Sequence, residues 1–276
     1  MSTESEHLIR LANVLADRGG PIERILAALR IVGTDNAYLG FSALSSRLDL
    51  MMPIHPAVME AAAPDVKLPD SLPANGLIRM SVDGDRVSVG VLSIGNINAR
   101  VATEELIPGP ASDKWFHVIN PMVRAARGTM LNRTKFLTHG LGAISVSYPA
   151  RSGSDESDFT KLVAEHMERI ALPEAQRLLW QKNLYPVSGV GRVLSIVSEC
   201  TPDGPTPTFT VLNDATTFDQ AIDLLKVMAD PVQTRVAAVG LGTISGTLDM
   251  HQLMGIEIVL GASASDVIVW LPPRRP

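Results

Sequence analysis

The amino-acid sequence predicts an α+β fold made of N-terminal helices, an antiparallel hairpin-based sheet and a C-terminal unit mixing helices with strands. Three observations carry this. Residues 7–32 hold two amphipathic segments separated by Gly19-Gly20. Residues 77–92 alternate apolar and polar side chains about an Asp-Gly turn. Beyond residue 150, helical periodicity alternates with short β-branched runs. The expected organisation is a helical region over 1–75, a hairpin-based sheet with a helix over 76–150, and an α/β unit over 151–276.

In the first segment, Leu8, Leu11 and Leu15 share one helix face. Pro21 suits the first position of a second helix, whose stripe is Ile22, Ile25, Leu26 and Leu29 and whose stop is Gly33. Helical patterns are also read over 36–48 and 56–63. Residues 64–76 are proline-rich and aperiodic and read as a connector.

The hairpin is the sharpest local expectation. Asp83-Gly84 suits a two-residue type I′ turn, which pairs Val82 with Asp85, Met80 with Val87 and Ile78 with Val89. The apolar residues then meet on one face, with Arg79, Ser81, Arg86 and Ser88 on the other. A third strand is expected near 99–104. A helix over 113–130 should break or kink at Pro121. Short strands follow at 136–137 and 143–147.

In the last segment, Ser157 can cap a helix over 158–170, with His166 at the border of its apolar face, and Pro173 starts another to about Lys182. Strands are expected at 193–199, 208–212, 235–239, 256–260 and 267–270. Thr217 and Gln220 form a capping box for a helix to Ala229. Gly140-Leu-Gly-Ala-Ile-Ser145 and Gly240-Leu-Gly-Thr-Ile-Ser245 agree at five of six positions. Duplication would explain that, as would coincidence among common residues. Neither copy meets the dinucleotide fingerprint, because no third glycine stands at the right place before a helix, so a tight turn or bulge is the better reading.

Composition limits the classes of function. With 46% hydrophobic and 19% charged residues the chain can build a large core, which excludes a disordered protein. The 24 Lys and Arg against 29 Asp and Glu leave a net charge of −5, which argues against coating DNA or anionic membranes by charge alone. One cysteine, Cys200, leaves no disulfide partner within the chain and points to a reducing, cytoplasmic setting. No apolar run approaches the ~18 residues of a transmembrane segment.

No metal-ligand spacing, nucleophile motif or paired carboxylates emerge, so no metal and no cofactor are expected, and Cys200 reads as a structural thiol. One basic stretch stands out. Arg124, Arg127, Arg133 and Lys135 form a candidate phosphate- or nucleic-acid-binding patch, with Trp115, Phe116 and Phe136 near it in sequence. The missing catalytic signatures tilt the reading away from an enzyme. The first expectation is a self-associating structural or assembly protein, such as a viral or phage-like capsid, matrix or nucleoprotein subunit, hence a homo-oligomer. One alternative is a small-molecule enzyme or ligand-binding protein with a pocket between two halves. The other is an RNA-binding protein that uses the basic stretch.

Overall fold

A computed structural model describes residues 3–16, 22–62, 77–84, 86–92, 109–126, 130–137, 140–149, 156–188, 193–201, 203–214, 216–262 and 264–273. Among them, helices and β-hairpins alternate in five units. Helices α1 (Thr3–Ala16) and α2 (Ile22–Val32) precede β1 (Tyr38–Ser42) and β2 (Leu48–Pro53). Helix α3 (Pro56–Ala62) precedes β3 (Leu77–Asp83) and β4 (Arg86–Leu92), and α4 (Pro110–Ala126) precedes β5 (Met130–Leu137) and β6 (Gly140–Pro149). Next come α5 (Glu156–Arg169), α6 (Glu174–Leu179), a π turn at Trp180–Leu184 and α7 (Tyr185–Ser188), leading into β7 (Val193–Thr201), the two-residue β8 (Gly204–Pro205) and β9 (Thr208–Asn213). The last unit is α8 (Phe218–Met228), α9 (Pro231–Leu248), β10 (Gly255–Gly261) and β11 (Ser265–Leu271).

Every strand pairing is antiparallel, and the strands follow one another round a single sheet that begins at β6 and ends at β7. Those two strands also pair, Ile144 with Cys200 through Pro149 with Ser195, so among the described residues ten strands close into a barrel and β8 hangs outside the ring. Closure removes the exposed sheet edges that would otherwise template aggregation. The α+β class is therefore as read from the sequence. Strands from 1–75, 76–150 and 151–276 all belong to this one sheet.

Alternation gives the barrel two unlike faces. Val89, Met80, Leu50, Leu39 and Leu271 are successive ladder partners across β4, β3, β2, β1 and β11, and all are buried. They pack outward into one core with Leu11 and Leu15 of α1, Leu29 of α2 and Leu225 of α8. The residues between them point into the barrel. Two helix starts are fixed by side-chain caps, of which the sequence reading anticipated the first. Thr217 and Gln220 form the capping box of α8, and Asp230 caps α9 with Pro231 in its first turn.

Several expectations are corrected. In the hairpin Asp83 pairs with Arg86 and Val82 with Val87, where Val82 was expected opposite Asp85. The shift is of two residues, so both faces survive it. Where a helix was expected over 36–48, a 3-10 turn ends at Asn36, β1 runs over Tyr38–Ser42 and β2 starts at Leu48, a short apolar run being ambiguous between helix and strand. Residues 235–239 lie inside α9, whose start is set by Asp230 and Pro231. The first GLG hexapeptide lies in β6 and the second in the middle of α9, so neither is a turn and the echo is no structural repeat. Helix α4 runs through Pro121. The proline cannot bond the carbonyl of His117 one turn back, and Arg169 Nη1 donates to that oxygen at 3.1 Å instead. His166 is wholly buried rather than at a border. The connector at 64–76 and the strand expected at 99–104 lie outside the described residues.

Candidate functional site within the barrel

The inward-facing side chains meet round a cavity of about 120 Å³. One wall comes from β2 to β4 and is lined by Arg47, Arg79, Ser81, Ser88 and Gly90. The facing wall comes from β7, β9 and β10, with Glu199, Thr208, Thr210, Glu257 and Val259. The cavity lies inside the barrel, not between two halves of the molecule.

Its floor is an ionic bar. Arg79 Nη1 donates to Glu257 Oε2 at 2.7 Å and to Oε1 at 3.1 Å, and Arg79 Nη2 donates to Asp49 Oδ2 at 2.8 Å. Strands β3 and β10 are separated by β2, β1 and β11, so this one side chain crosses the lumen. The Arg79 guanidinium lies 4.8 Å from the centre of the Trp270 ring, whose Nε1 donates to Glu257 Oε2 at 3.2 Å. Gly40, ladder partner of both Asp49 and Trp270, makes this packing possible. A Cβ there would stand 3.0 Å from Asp49 Cβ and 3.1 Å from the indole.

The electrostatics follow from these partners. Burial alone would raise the Asp49 carboxyl, but Arg79 and Arg47, with the Ser81 hydroxyl bond, hold it far below the usual carboxylate range. Burial works against the charge on Arg79, yet Asp49 and Glu257 more than offset it and hold the guanidinium more firmly charged than in water. Arg47 reaches Asp49 at 3.2 Å from a partly exposed position. Near the same end, Asp266 accepts from Ser42 Oγ at 2.8 Å and the Val267 N–H at 2.8 Å; burial raises its carboxyl, and these bonds oppose that in part. Cys200 is buried, and burial together with Glu199 beside it pushes the thiol up to about 12, which makes it a poor nucleophile.

The basic stretch is split. Lys135 on β5 pairs with Gly90, a cavity-lining residue, and with Ala143. Arg133 pairs with Ser145, itself the partner of Glu199 on the facing wall. Arg124 belongs to α4, and Arg127 lies outside the described residues. The four basic residues therefore do not form one helix face. Trp115 is fully buried, so it offers no platform for stacking bases. Sequence reading missed Asp49, Glu199 and Glu257 altogether. Each is a lone acid in an apolar strand, and the signal that could have found them is that position alone.

A closed ten-stranded barrel, helices outside and a charged, cavity-bearing lumen inside, defines the architecture. No protein-family model and no curated protein matches the sequence. Among solved structures, 6-dimethylallyl tryptophan synthase, a prenyltransferase, matches with a TM-score of 0.63 and 13% identity over 100% of this chain and 99% of that one. The 6-dimethylallyltryptophan synthase from Micromonospora olivasterospora, solved in complex with DMASPP and Trp, matches with a TM-score of 0.58 and 13% identity over 97% and 95% of the two chains. At this identity the likeness is one of fold. It overturns the expectation of a non-enzymatic viral, capsid-like, matrix or nucleoprotein subunit, and that of an RNA-binding protein, because these two chains of like fold are small-molecule enzymes. The misreading has a physical cause. The lumen takes one or two residues from each of several strands, so its chemistry leaves no contiguous motif. Among the described residues no helix is long and apolar enough to cross a membrane.

Proposed function

We propose that this protein is a small-molecule enzyme that transfers a prenyl group, inside its barrel, from an allylic diphosphate to an aromatic acceptor. The observation that carries this reading is a closed barrel with a charged interior cavity, in a chain that follows a 6-dimethylallyl tryptophan synthase from end to end.

The reaction needs three things of the lumen. Cations must hold the diphosphate, because the allylic C–O bond breaks with its electron pair on the departing oxygen. Arg133 and Lys135 are the candidates, since Lys135 pairs with cavity-lining Gly90, and Arg133 pairs with Ser145, the ladder partner of cavity-lining Glu199. Water must be excluded from the allylic cation, which suits an interior cavity. A base must take the ring proton displaced when the new carbon–carbon bond forms. Glu199, a carboxylate that lines the cavity from β7, is the candidate.

The test is to incubate the protein with dimethylallyl diphosphate and a panel of aromatic acceptors that includes L-tryptophan. Released diphosphate and the mass of the product are measured. Prenylated product is expected, with turnover reduced at least about tenfold in Arg133→Ala/Lys135→Ala, the loss of one charge-assisted contact or more. Absence of both product and binding of dimethylallyl diphosphate would sink the reading.

A further inference from the structure

We propose that Ser81 orients the aromatic acceptor by accepting a hydrogen bond from its ring N–H or O–H. This rests on the prenyl-transfer reading for the word acceptor, but not for the binding chemistry.

Ser81 lies on β3 two residues from Arg79 and lines the same cavity. Its hydroxyl donates to Asp49 Oδ1, and the direction of that bond is not free. Asp49 is wholly buried and held as a carboxylate by Arg79 and Arg47, so it can only accept. A serine hydroxyl owns one proton and two lone pairs. With the proton committed to Asp49, the oxygen offers a ligand lone pairs alone. A negative charge behind the O–H bond also polarises it, which strengthens the oxygen as an acceptor. Ser88, its ladder partner on β4, adds a second hydroxyl on the same wall.

The chemistry that fits is a hydrogen-bond donor, neutral or cationic. An anion is disfavoured there, with Asp49 directly behind the oxygen. A ring donor bound at Ser81 therefore settles on the β3–β4 wall, near the floor, with its N–H or O–H aimed at the Ser81 oxygen. A group made to receive N–H or O–H rejects an analogue that lacks it far better than an apolar wall rejects an added methyl. Ser81 would then determine which acceptors bind and which ring position faces the donor.

The experiment compares indole with 1-methylindole, and phenol with anisole, by calorimetry on the whole protein in the absence of any prenyl diphosphate. The unmethylated member of each pair is expected to bind about tenfold more tightly. Ser81→Ala should abolish that preference while leaving the affinity for the methylated member within about twofold, and Ser81→Thr, which restores the hydroxyl, should return it. In turnover with a productive acceptor, Ser81→Ala should raise KM for the acceptor and leave KM for the diphosphate unchanged. Equal binding within each pair by the unaltered protein, or a preference that persists in Ser81→Ala, overturns the proposal. A protein that discriminates in this way and yet yields no prenylated product would overturn the prenyl-transfer reading alone.

Discussion

The two faces of the barrel wall bury titratable groups by opposite means. On the lumen side Arg79 is only 6% exposed and remains charged, because Asp49 and Glu257 meet it directly. On the helix side His166 is 1% exposed, among Phe209 and the surrounding apolar core, and burial, aided by nearby Arg169, pushes it down to about 4. Burial sets a cost in both places; the neighbour decides whether the group stays charged or gives up its proton. The lumen is thus a polar interior held open by ion pairs, and the outer layer is an apolar one that tolerates a histidine only as a neutral ring.

The largest way to break this contrast is Arg79→Met. It removes the cation that bridges the buried Asp49 and Glu257, leaving Asp49 with the more exposed Arg47, and about 3–5 kcal/mol of stability should be lost in urea unfolding. A loss below about 1 kcal/mol would mean that the bar is not the brace described above. Acid sharpens the contrast from the other side. His166 binds a proton less readily folded than unfolded, so its contribution is complete above about pH 6.5 and fades as pH falls towards 4, by up to about 3 kcal/mol. Asp49 is lowered instead, so its contribution persists there and is lost only below the unfolded carboxylate range, under about pH 4. Stability measured from pH 7 to pH 4 should therefore decline through His166, and His166→Phe should flatten the decline. The smallest effect is Thr217→Ala, which removes the cap of α8 in the outer layer. It should cost about 1 kcal/mol in the same unfolding experiment and leave ligand binding in the lumen unaltered.

The same contrast explains how far the sequence could be read. Alternation across 77–92 and the Thr217–Gln220 box are local, and each is present as read, the hairpin with its pairing shifted by two residues. The destination of the polar face was not legible. In an open sheet Arg79, Ser81 and Ser88 would face solvent, and only closure turns them inward. Closure rests on pairings such as Leu39 with Leu271, which no local pattern announces. The floor was hidden for a related reason: Asp49 and Glu257 stand 30 and 178 residues from Arg79, so the three never appear in one window. Arg133 and Lys135 were conspicuous because they are close in sequence, and they lie on strand β5 rather than on a helix face.

The seam between β1 and β11 has a consequence for how the chain comes into being. It joins the first strand to the last, and the Ser42–Asp266 bond beside it spans 224 residues. At a ribosomal rate of about 5–20 residues per second, the first strand waits roughly 11–45 s for its partner to be made. Until then the nascent wall has unpaired margins and a wetted charged side. Ring completion must therefore wait until β11 has been made, and the long-range pairing makes slow refolding from denaturant the expected behaviour.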